Sequence, residues 1–191
     1  MINDHADLIM FLNKHFALLT LVGFVVVIGW TIKLAMLQAG LLEKYRWVFK
    51  KMSAYTLPLG FFVSLFATVV SLYYSYYLHI PACDLCWLQR IFIYPLVFIF
   101  GVAWLRREDI VATKLYGHIM TLSAVGFLIA LYHHYLQMGY SLFAPCSTAP
   151  FAVDCSTPTF IEYGFVTYPF MAVVVLSATF LLALQAKIVN K

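Results

Sequence analysis

Residues 163–186 read YGFVTYPFMAVVVLSATFLLALQA and contain no Asp, Glu, Lys or Arg. A helix that crosses the hydrocarbon core of a bilayer needs about 20 predominantly apolar residues, so this stretch is long enough to span a membrane. The rest of the 191-residue chain is similar, because 64% of it is hydrophobic and only 10% is charged. Soluble domains carry about 25% charged residues, and the aromatic content of 18% argues against disorder. The sequence therefore predicts an integral membrane protein.

Four further stretches are free of charged side chains, at 15–32, 52–83, 91–105 and 115–153. The last is too long for one span, and its second half is rich in Gly, Pro, Ser and Thr, which favour a loop. The fold class predicted is all-α, a polytopic membrane protein. The first stretch has an acidic start and no clear cleavage site, so we expect a retained helix rather than a signal peptide. We place the five transmembrane helices at about 16–38, 55–78, 87–105, 115–138 and 165–186.

The basic residues divide unevenly between the two sides of the membrane. With five spans, ten of the twelve Lys and Arg fall in 33–51, in 106–114 and at the C-terminal end. Cytoplasmic segments are enriched in Lys and Arg. We therefore expect a cytoplasmic C-terminus, with the N-terminus, 79–86 and 139–164 outside. The basic residues form no stripe that would bind nucleic acid. An aromatic belt is expected at the outer end of the second helix, from Tyr73, Tyr74, Tyr76 and Tyr77.

All four cysteines of the chain fall in the two segments expected outside: Cys83, Cys86, Cys146 and Cys155. The outer face of a cell membrane is oxidising, so disulfides can form there. Static cross-links and a four-cysteine zinc site are the alternatives to redox chemistry. Against zinc, the second pair is widely spaced and no outer histidine is well placed. Against static cross-links, a C-x-x-C disulfide is easily reduced, which suits thiol exchange better than reinforcement.

Cys86 and Arg90 are one helical turn apart at the start of the third predicted helix. The helix dipole and the guanidinium group both favour a thiolate at Cys86. An arginine inside an apolar span is by default a functional residue, and the alternative is an arginine that snorkels to the headgroups. The chain has no dinucleotide-binding motif. The electron acceptor we expect is a quinone dissolved in the bilayer, because an arginine can hydrogen-bond its oxygens.

Residues 83–90 read CDLCWLQR and residues 93–96 read IYPL. This block resembles the DsbB family of disulfide-bond formation proteins, and is most similar to the short BdbC-like branch with its C-x-L-C-W-x-Q-R motif. The second cysteine pair and the YGFVTYPF of 163–170 are similar to that branch's second cysteine loop and last helix. The resemblance implies a DsbB-type four-helix bundle in 52–191, preceded by an extension, 1–51, with an extra transmembrane helix.

The resemblance also implies an activity, that of a protein-dithiol:quinone oxidoreductase in the bacterial inner membrane. A secreted DsbA-like oxidase of the thioredoxin fold would be reoxidised at Cys146, and Cys155 would then exchange with Cys83. Cys86 would pass two electrons to ubiquinone or menaquinone, which Arg90 would hold, and the respiratory chain would reoxidise the quinol. All four cysteines are implied to be catalytic, and no metal is implied.

Two adjacent histidines, His133 and His134, lie near the outer end of the fourth predicted helix. The family often has a histidine close to the quinone at this place. The resemblance therefore implies that one of the two donates a hydrogen bond to a quinone oxygen, with His134 slightly favoured. The alternative is an interfacial histidine pair without a role in the chemistry.

Two other functions stay open at this point. A reductase of the vitamin K epoxide reductase type also combines four helices with a C-x-x-C motif, but its motif comes late in the helix order. Here the motif follows the second span. A transporter or assembly subunit with structural disulfides would need paired polar residues in mid-membrane, where these spans offer little beyond Ser, Thr and Tyr.

Overall fold

The computed structural model describes residues 2–110, 113–140 and 154–190, with the backbone alone for 2–6. The described residues form six α-helices: α1 (Ile2–Gln38), α2 (Arg46–Ser53), α3 (Thr56–Leu72), α4 (Asp84–Leu105), α5 (Leu115–Gln137) and α6 (Tyr168–Val189). A π-helical turn, Tyr73–Tyr77, extends α3. Among these residues, five segments are long and apolar enough to cross a membrane: Asp7–Gln38, Thr56–Tyr77, Asp84–Leu105, Leu115–Gln137 and Tyr168–Val189. The prediction of an all-α, polytopic membrane protein with five spans is confirmed.

The ends of the helices differ from the predicted ones where side chains, rather than hydropathy, set the boundary. α6 begins at Tyr168 and not at 165, because the Thr167 hydroxyl accepts a hydrogen bond from the backbone N–H of Phe170. Pro169 follows in the first turn, where its missing N–H is tolerated. α1 begins well before the apolar stretch starts, because polar residues at its outer end continue the helix.

α2 is a short basic helix that the hydropathy pattern did not predict. Arg46 donates one hydrogen bond to the Glu43 carboxylate, at 2.9 Å, and another to the backbone carbonyl of Ile188, also at 2.9 Å. α2 also buries Phe49, whose backbone carbonyl accepts a bond from Gln185. These contacts attach the segment between the first two spans to the C-terminal part of α6.

α6 is the central helix of the bundle. In its most apolar window 61% of the residues are buried, compared with 11% in α1. Leu96, Phe100, Ile119 and Leu176 are fully buried in the core that α4, α5 and α6 share. α3 packs closely on α4 through Gly60, since a Cβ at this position would lie 2.3 Å from the Phe100 ring. This close contact lies near the C-terminal end of α4.

Two polar contacts attach α1 to the other helices. Towards its N-terminal end, Asn13 Oδ1 accepts hydrogen bonds from the hydroxyls of Tyr74, at 2.8 Å, and Tyr168, at 3.1 Å. Towards its C-terminal end, the Trp30 indole donates to Gln185 Oε1 at 2.6 Å. Tyr74 is therefore a buried contact between helices and not a member of an aromatic belt. An apolar cluster joins α1 to α6 between these contacts, through Ala17, Val166, Phe170 and Val174.

Candidate functional site

The C-x-x-C pair lies where the chain enters α4. Cys83 is the N-cap residue, with extended backbone angles, and Cys86 lies in the first turn of the helix. The two sulfur atoms are 3.2 Å apart, in hydrogen-bond contact and not joined in a disulfide. A small movement would bring them to bonding distance, because the helix start already points both side chains to the same side. The pair is therefore arranged for reversible oxidation.

The two thiols of this pair are not equivalent. The hydrogen bond to Cys86, followed by burial, raises the pKa of the Cys83 thiol to about 12. Cys83 therefore keeps its proton at neutral pH and donates it towards the Cys86 sulfur. A hydrogen bond donated to a sulfur atom stabilises negative charge on it. The N-terminal end of a helix and the charge of Arg90 favour the same atom, so Cys86 is the sulfur that carries an anion most readily.

A buried histidine lies behind Cys83. The His133 ring has no solvent exposure, and its Nε2 lies 3.6 Å from Cys83 Sγ. The Gln89 amide donates to Nδ1 of this ring at 2.8 Å, and Gln137 lies 3.3 Å from Nε2. Because Nδ1 accepts, the proton of the neutral ring is on Nε2, which faces the sulfur. The arrangement gives the Cys83 sulfur a hydrogen-bond donor that water does not reach.

Cys83, Cys86 and His133 also form a cluster of potential metal ligands. Their Sγ and nitrogen atoms lie within 4.8 Å of one another. The prediction that no outer histidine is well placed for zinc is therefore wrong for His133. A closed zinc site needs four ligands in tetrahedral geometry, and the described residues group these three. The cluster lies instead at the wall of a cavity beside a buried arginine, which is the setting of a redox pair.

Arg90 is held inside the bundle and does not reach for the headgroups, since only 8% of it is exposed. Its Nε donates to Ser71 Oγ at 3.1 Å, and its Nη2 donates to Ser75 Oγ. The guanidinium carbon lies 4.7 Å from the centre of the Trp87 ring. Its Nη1 is buried and has no hydrogen-bond partner among the residues that the structure describes. An unpaired buried N–H is unfavourable, so this atom is a donor available to a ligand.

A cavity of about 620 Å³ opens beside the pair. Cys83, Cys86, Gln89 and Arg90 line one end of it, and apolar residues of α1, α3 and α6 line the rest. Pockets of this size and polarity are typical of small-molecule sites. Neither His133 nor His134 is part of the lining.

The other candidate residues divide into three cases. Cys155 is buried and lies close enough to Cys86 for their charges to interact. His134 is turned towards the start of α6, where its Nδ1 is 3.0 Å from Thr167 Oγ1. Cys146 lies in 141–153, outside the described residues. The structure thus brings Cys83, Cys86, Cys155, Arg90 and His133 together, and directs His134 elsewhere.

Sequence reasoning gave no role to the residues that hold this site. They are the two serines that fix the guanidinium and the two glutamines that surround the imidazole: Ser71, Ser75, Gln89 and Gln137. The sequence did indicate each of these residues, because a polar side chain within a transmembrane span needs a hydrogen-bond partner. The serines are four residues apart, which places them on one face of the helix.

These features define a class, namely a multi-pass helical membrane protein with a C-x-x-C pair and a buried arginine at one end of the bundle. The family model of the "Disulfide bond formation protein DsbB" matches residues 53–186. The chain belongs to the DsbB family. This match favours that family over the vitamin K epoxide reductase type. It begins after α1 and most of α2.

Similar proteins come from Coxiella and Bacillus species. A "Probable disulfide formation protein" of Coxiella burnetii is 39% identical over 128 residues, which are 65% of this chain and 82% of that protein. The "SPbeta prophage-derived disulfide bond formation protein B" of Bacillus subtilis is 33% identical over 132 residues, 69% of this chain and 84% of that protein. The "Probable disulfide formation protein C 1" of Bacillus anthracis is 33% identical over 125 residues, which are 65% of this chain and 86% of that protein. No solved structure matches the chain.

Proposed function

We propose that the protein is a protein-dithiol:quinone oxidoreductase. It reoxidises a DsbA-like partner of the thioredoxin fold and passes two electrons to ubiquinone or menaquinone, and it thereby supports disulfide bond formation. The single observation that carries the proposal is the free donor Nη1 of Arg90, buried at the polar end of an apolar cavity beside Cys86. A relative named as a disulfide formation protein is the second support.

The residues at this end of the cavity fit a quinone ring. Ser71 accepts a hydrogen bond from Nε of Arg90 and Ser75 accepts one from Nη2. The remaining nitrogen, Nη1, is left for one carbonyl oxygen of the ring. Tyr94 donates to Ser71 Oγ at 3.2 Å and completes the support. Ile93, on the same helix, gives the ring an apolar surface. A charge-assisted hydrogen bond of this kind is stronger in a site that excludes water.

The thiol chemistry consists of two exchanges and one oxidation. The dithiol of the reduced partner gives two electrons to a Cys146–Cys155 disulfide, so that the disulfide of the partner forms. Cys155 then attacks a Cys83–Cys86 disulfide at Cys83, and closure of the second pair leaves both C-x-x-C sulfurs as thiols. A bound quinone supplies the final chemistry, because it accepts two electrons and two protons and leaves the C-x-x-C disulfide restored.

The chain's own groups assist the electron and proton transfers. Cys83 and Cys86 both line the cavity, but Cys86 is the one whose charge interacts with Arg90, so it is the one that donates electrons. Cys83 has to lose its proton for the disulfide to close, and the Nε2–H of His133, 3.6 Å from Cys83 Sγ, stabilises the thiolate that results. His133 therefore acts on Cys83. The expectation that His134 or His133 contacts the quinone stays a prediction.

The same proposal fixes the location and the orientation. The protein lies in the bacterial inner membrane, with the N-terminus and both cysteine segments outside and the C-terminus in the cytoplasm. The distribution of Lys and Arg supports this orientation. A secreted thiol partner requires it, because the partner has to reach the second cysteine pair, which in turn has to reach the C-x-x-C pair on the same side.

Reconstitution tests the activity. The purified protein in lipid vesicles is supplied with a reduced thioredoxin-fold oxidase and a ubiquinone or menaquinone analogue, and quinone absorbance and partner thiols are followed together. We expect one quinone to be reduced for each pair of partner thiols oxidised, and neither change with Cys86→Ala. A folded wild-type protein that leaves both the quinone and the thiols of a panel of such oxidases unchanged would contradict the proposal.

A further inference from the structure

The cavity beside the C-x-x-C pair is a groove that continues along the inside of α1. Its outer end is polar and contains Cys86, Arg90 and Ser75, and its inner end reaches Trp30 and Leu59. The side chains between these ends are apolar and belong to α1, α3 and α6; they include Val26, Ala67 and Ala178. The groove is thus long, with one polar end and one apolar end.

α1 supplies one wall of this groove. Its lining residues include Phe16, Thr20, Gly23, Val27 and Trp30, which recur every three or four positions as on one face of a helix, and Val26 beside them. The contacts of Asn13 and Trp30 fix this wall near its two ends. Trp30 follows Asn13 by 17 positions, which corresponds to about 26 Å of helix, close to the thickness of the hydrocarbon core. The family match does not include this helix, since it begins at 53.

The groove opens sideways towards the lipid. Val26 on α1 is 57% exposed in the isolated chain, and Phe62 on α3 is 56% exposed. Both line the groove and stand at its rim. A hydrophobic molecule dissolved in the bilayer can therefore enter laterally between α1 and α3. Its polar head can then reach Arg90 without passing through water.

Quinones and phospholipids both have a polar head and a long apolar chain. The polar end of the groove distinguishes between these two kinds of lipid. Arg90 offers one unpaired nitrogen, Nη1, whose N–H groups can donate to a carbonyl oxygen. The Asp154 carboxylate also lines this end, and hydrogen bonds from Ser156 hold its pKa below the usual range, so that it stays ionised. An anionic headgroup would be repelled there. The uncharged ring of a quinone is not.

We propose that α1 and the facing sides of α3 and α6 form a binding groove for the isoprenoid chain of the quinone. This inference rests on the proposed function. An isoprenoid chain in the groove makes apolar contacts that the quinone ring alone does not make. Burial of each methylene group of the chain favours binding. α1 is then a substrate-binding element and determines a preference for long-chain quinones.

Two neighbouring residues of α1 provide a matched test. Val26 lines the groove, whereas Val25 is 68% exposed and does not line it. Val26→Trp fills the groove with an indole, and Val25→Trp adds the same group to the lipid-facing side. Long-chain quinone and phospholipid retained by each purified protein are extracted and quantified, and KM is measured with a long-chain and a tail-less quinone. Ala67→Phe and Val69→Phe are the equivalent pair on α3.

We expect Val26→Trp to retain at least fivefold less quinone than Val25→Trp and to raise KM about tenfold for the long-chain quinone alone. Equal behaviour of the two variants would overturn the proposal, and so would an equal rise in both KM values. Loss of phospholipid instead of quinone would overturn it as well. If the wild type reduces no quinone, the oxidoreductase proposal fails. The comparison of retained quinone between Val26→Trp and Val25→Trp still tests whether the groove binds the isoprenoid chain.

Discussion

Gln89 donates a hydrogen bond to Nδ1 of His133 at 2.8 Å, and this contact leaves Nε2 of the same buried ring facing Cys83. The two residues come from α4 and α5, so the packing of these helices fixes the orientation of the imidazole. A ring held in this tautomer presents its Nε2–H to the sulfur and stabilises a thiolate at Cys83. The relationship gives a chemical reason for a histidine with no solvent exposure.

His133→Leu should therefore slow the oxidation of the C-x-x-C pair. A hydrogen bond to a charged group contributes about 1.5–3 kcal/mol, which corresponds to an effect of about ten- to hundredfold, and we expect a loss of about tenfold in turnover at unchanged KM for the quinone. Single-turnover stopped-flow measurements of quinone reduction check this. His134→Leu is the matched control, because His134 contacts Thr167 and not the cysteines. A turnover loss confined to His134→Leu, or a KM change in that variant, would assign the role to His134.

Arg90→Ala should weaken quinone binding and turnover more than folding. A hydrogen bond to a charged group contributes about 1.5–3 kcal/mol, which corresponds to an effect of about ten- to hundredfold. Arg90→Lys should not restore activity, because one ammonium group cannot bond both serines and still present a further N–H in the same plane. The KM for a quinone analogue and the thermal unfolding midpoint are measured for both. Arg106→Ala, at the exposed opposite end of α4, is the control. Wild-type KM and turnover in Arg90→Ala would make Arg90 a structural residue.

The pH dependence of Cys83 follows from its hydrogen bond. Its pKa is raised from an ordinary 9.0 to about 12, mainly by the bond to Cys86. A raised pKa in the folded state stabilises the reduced protein below pH 9, and this contribution is lost as the pH rises from about 9 to 12. Cys86→Ala removes the larger cause, so the pKa of Cys83 should fall. The rate of Cys83 alkylation against pH, followed by mass spectrometry, measures it. An unchanged profile in Cys86→Ala would mean that burial alone holds the proton.

Hydropathy and motif spacing were enough to predict the five spans, the C-x-x-C pair and the importance of Arg90. They were not enough for the polar contacts within the bundle. Helices that are apolar all round do not reveal which face is buried, so Asn13 and Ser75 could not be assigned partners. Tyr74 has the composition of an interfacial residue, and only the position of α1 makes it a buried donor. The choice between His133 and His134 depends on a rotation of about 100° along α5, which the sequence does not specify.

Single exposed cysteines test the orientation better than the native ones, since Cys83 and Cys155 are buried. In a background without the four cysteines, Ser156→Cys should react with a membrane-impermeant maleimide in intact cells. Lys44→Cys should react only after lysis, because the segment 33–51 carries five basic residues. Both positions are exposed. The reverse labelling pattern would invert the topology and remove access of a secreted partner to the site.

The last prediction separates a thiol relay from a structural cross-link. If Cys146 and Cys155 exchange disulfides with a partner, Cys155→Ser leaves Cys146 as the only thiol of that pair. A reoxidised partner can then be attacked but not released, and a mixed disulfide accumulates, because exchange proceeds through that intermediate. Cys146→Ser should give no such complex, since Cys155 is buried beside the C-x-x-C pair and not presented at the surface.

Each variant is co-expressed with candidate thioredoxin-fold oxidases, and the complexes are separated on non-reducing gels. A complex that forms with Cys146→Ser alone would exchange the roles of the two cysteines. If neither variant traps a partner and both still oxidise client proteins normally, the second pair is a cross-link. In that case electrons would have to enter at Cys83 directly, although it is 5% exposed and has its proton held by Cys86.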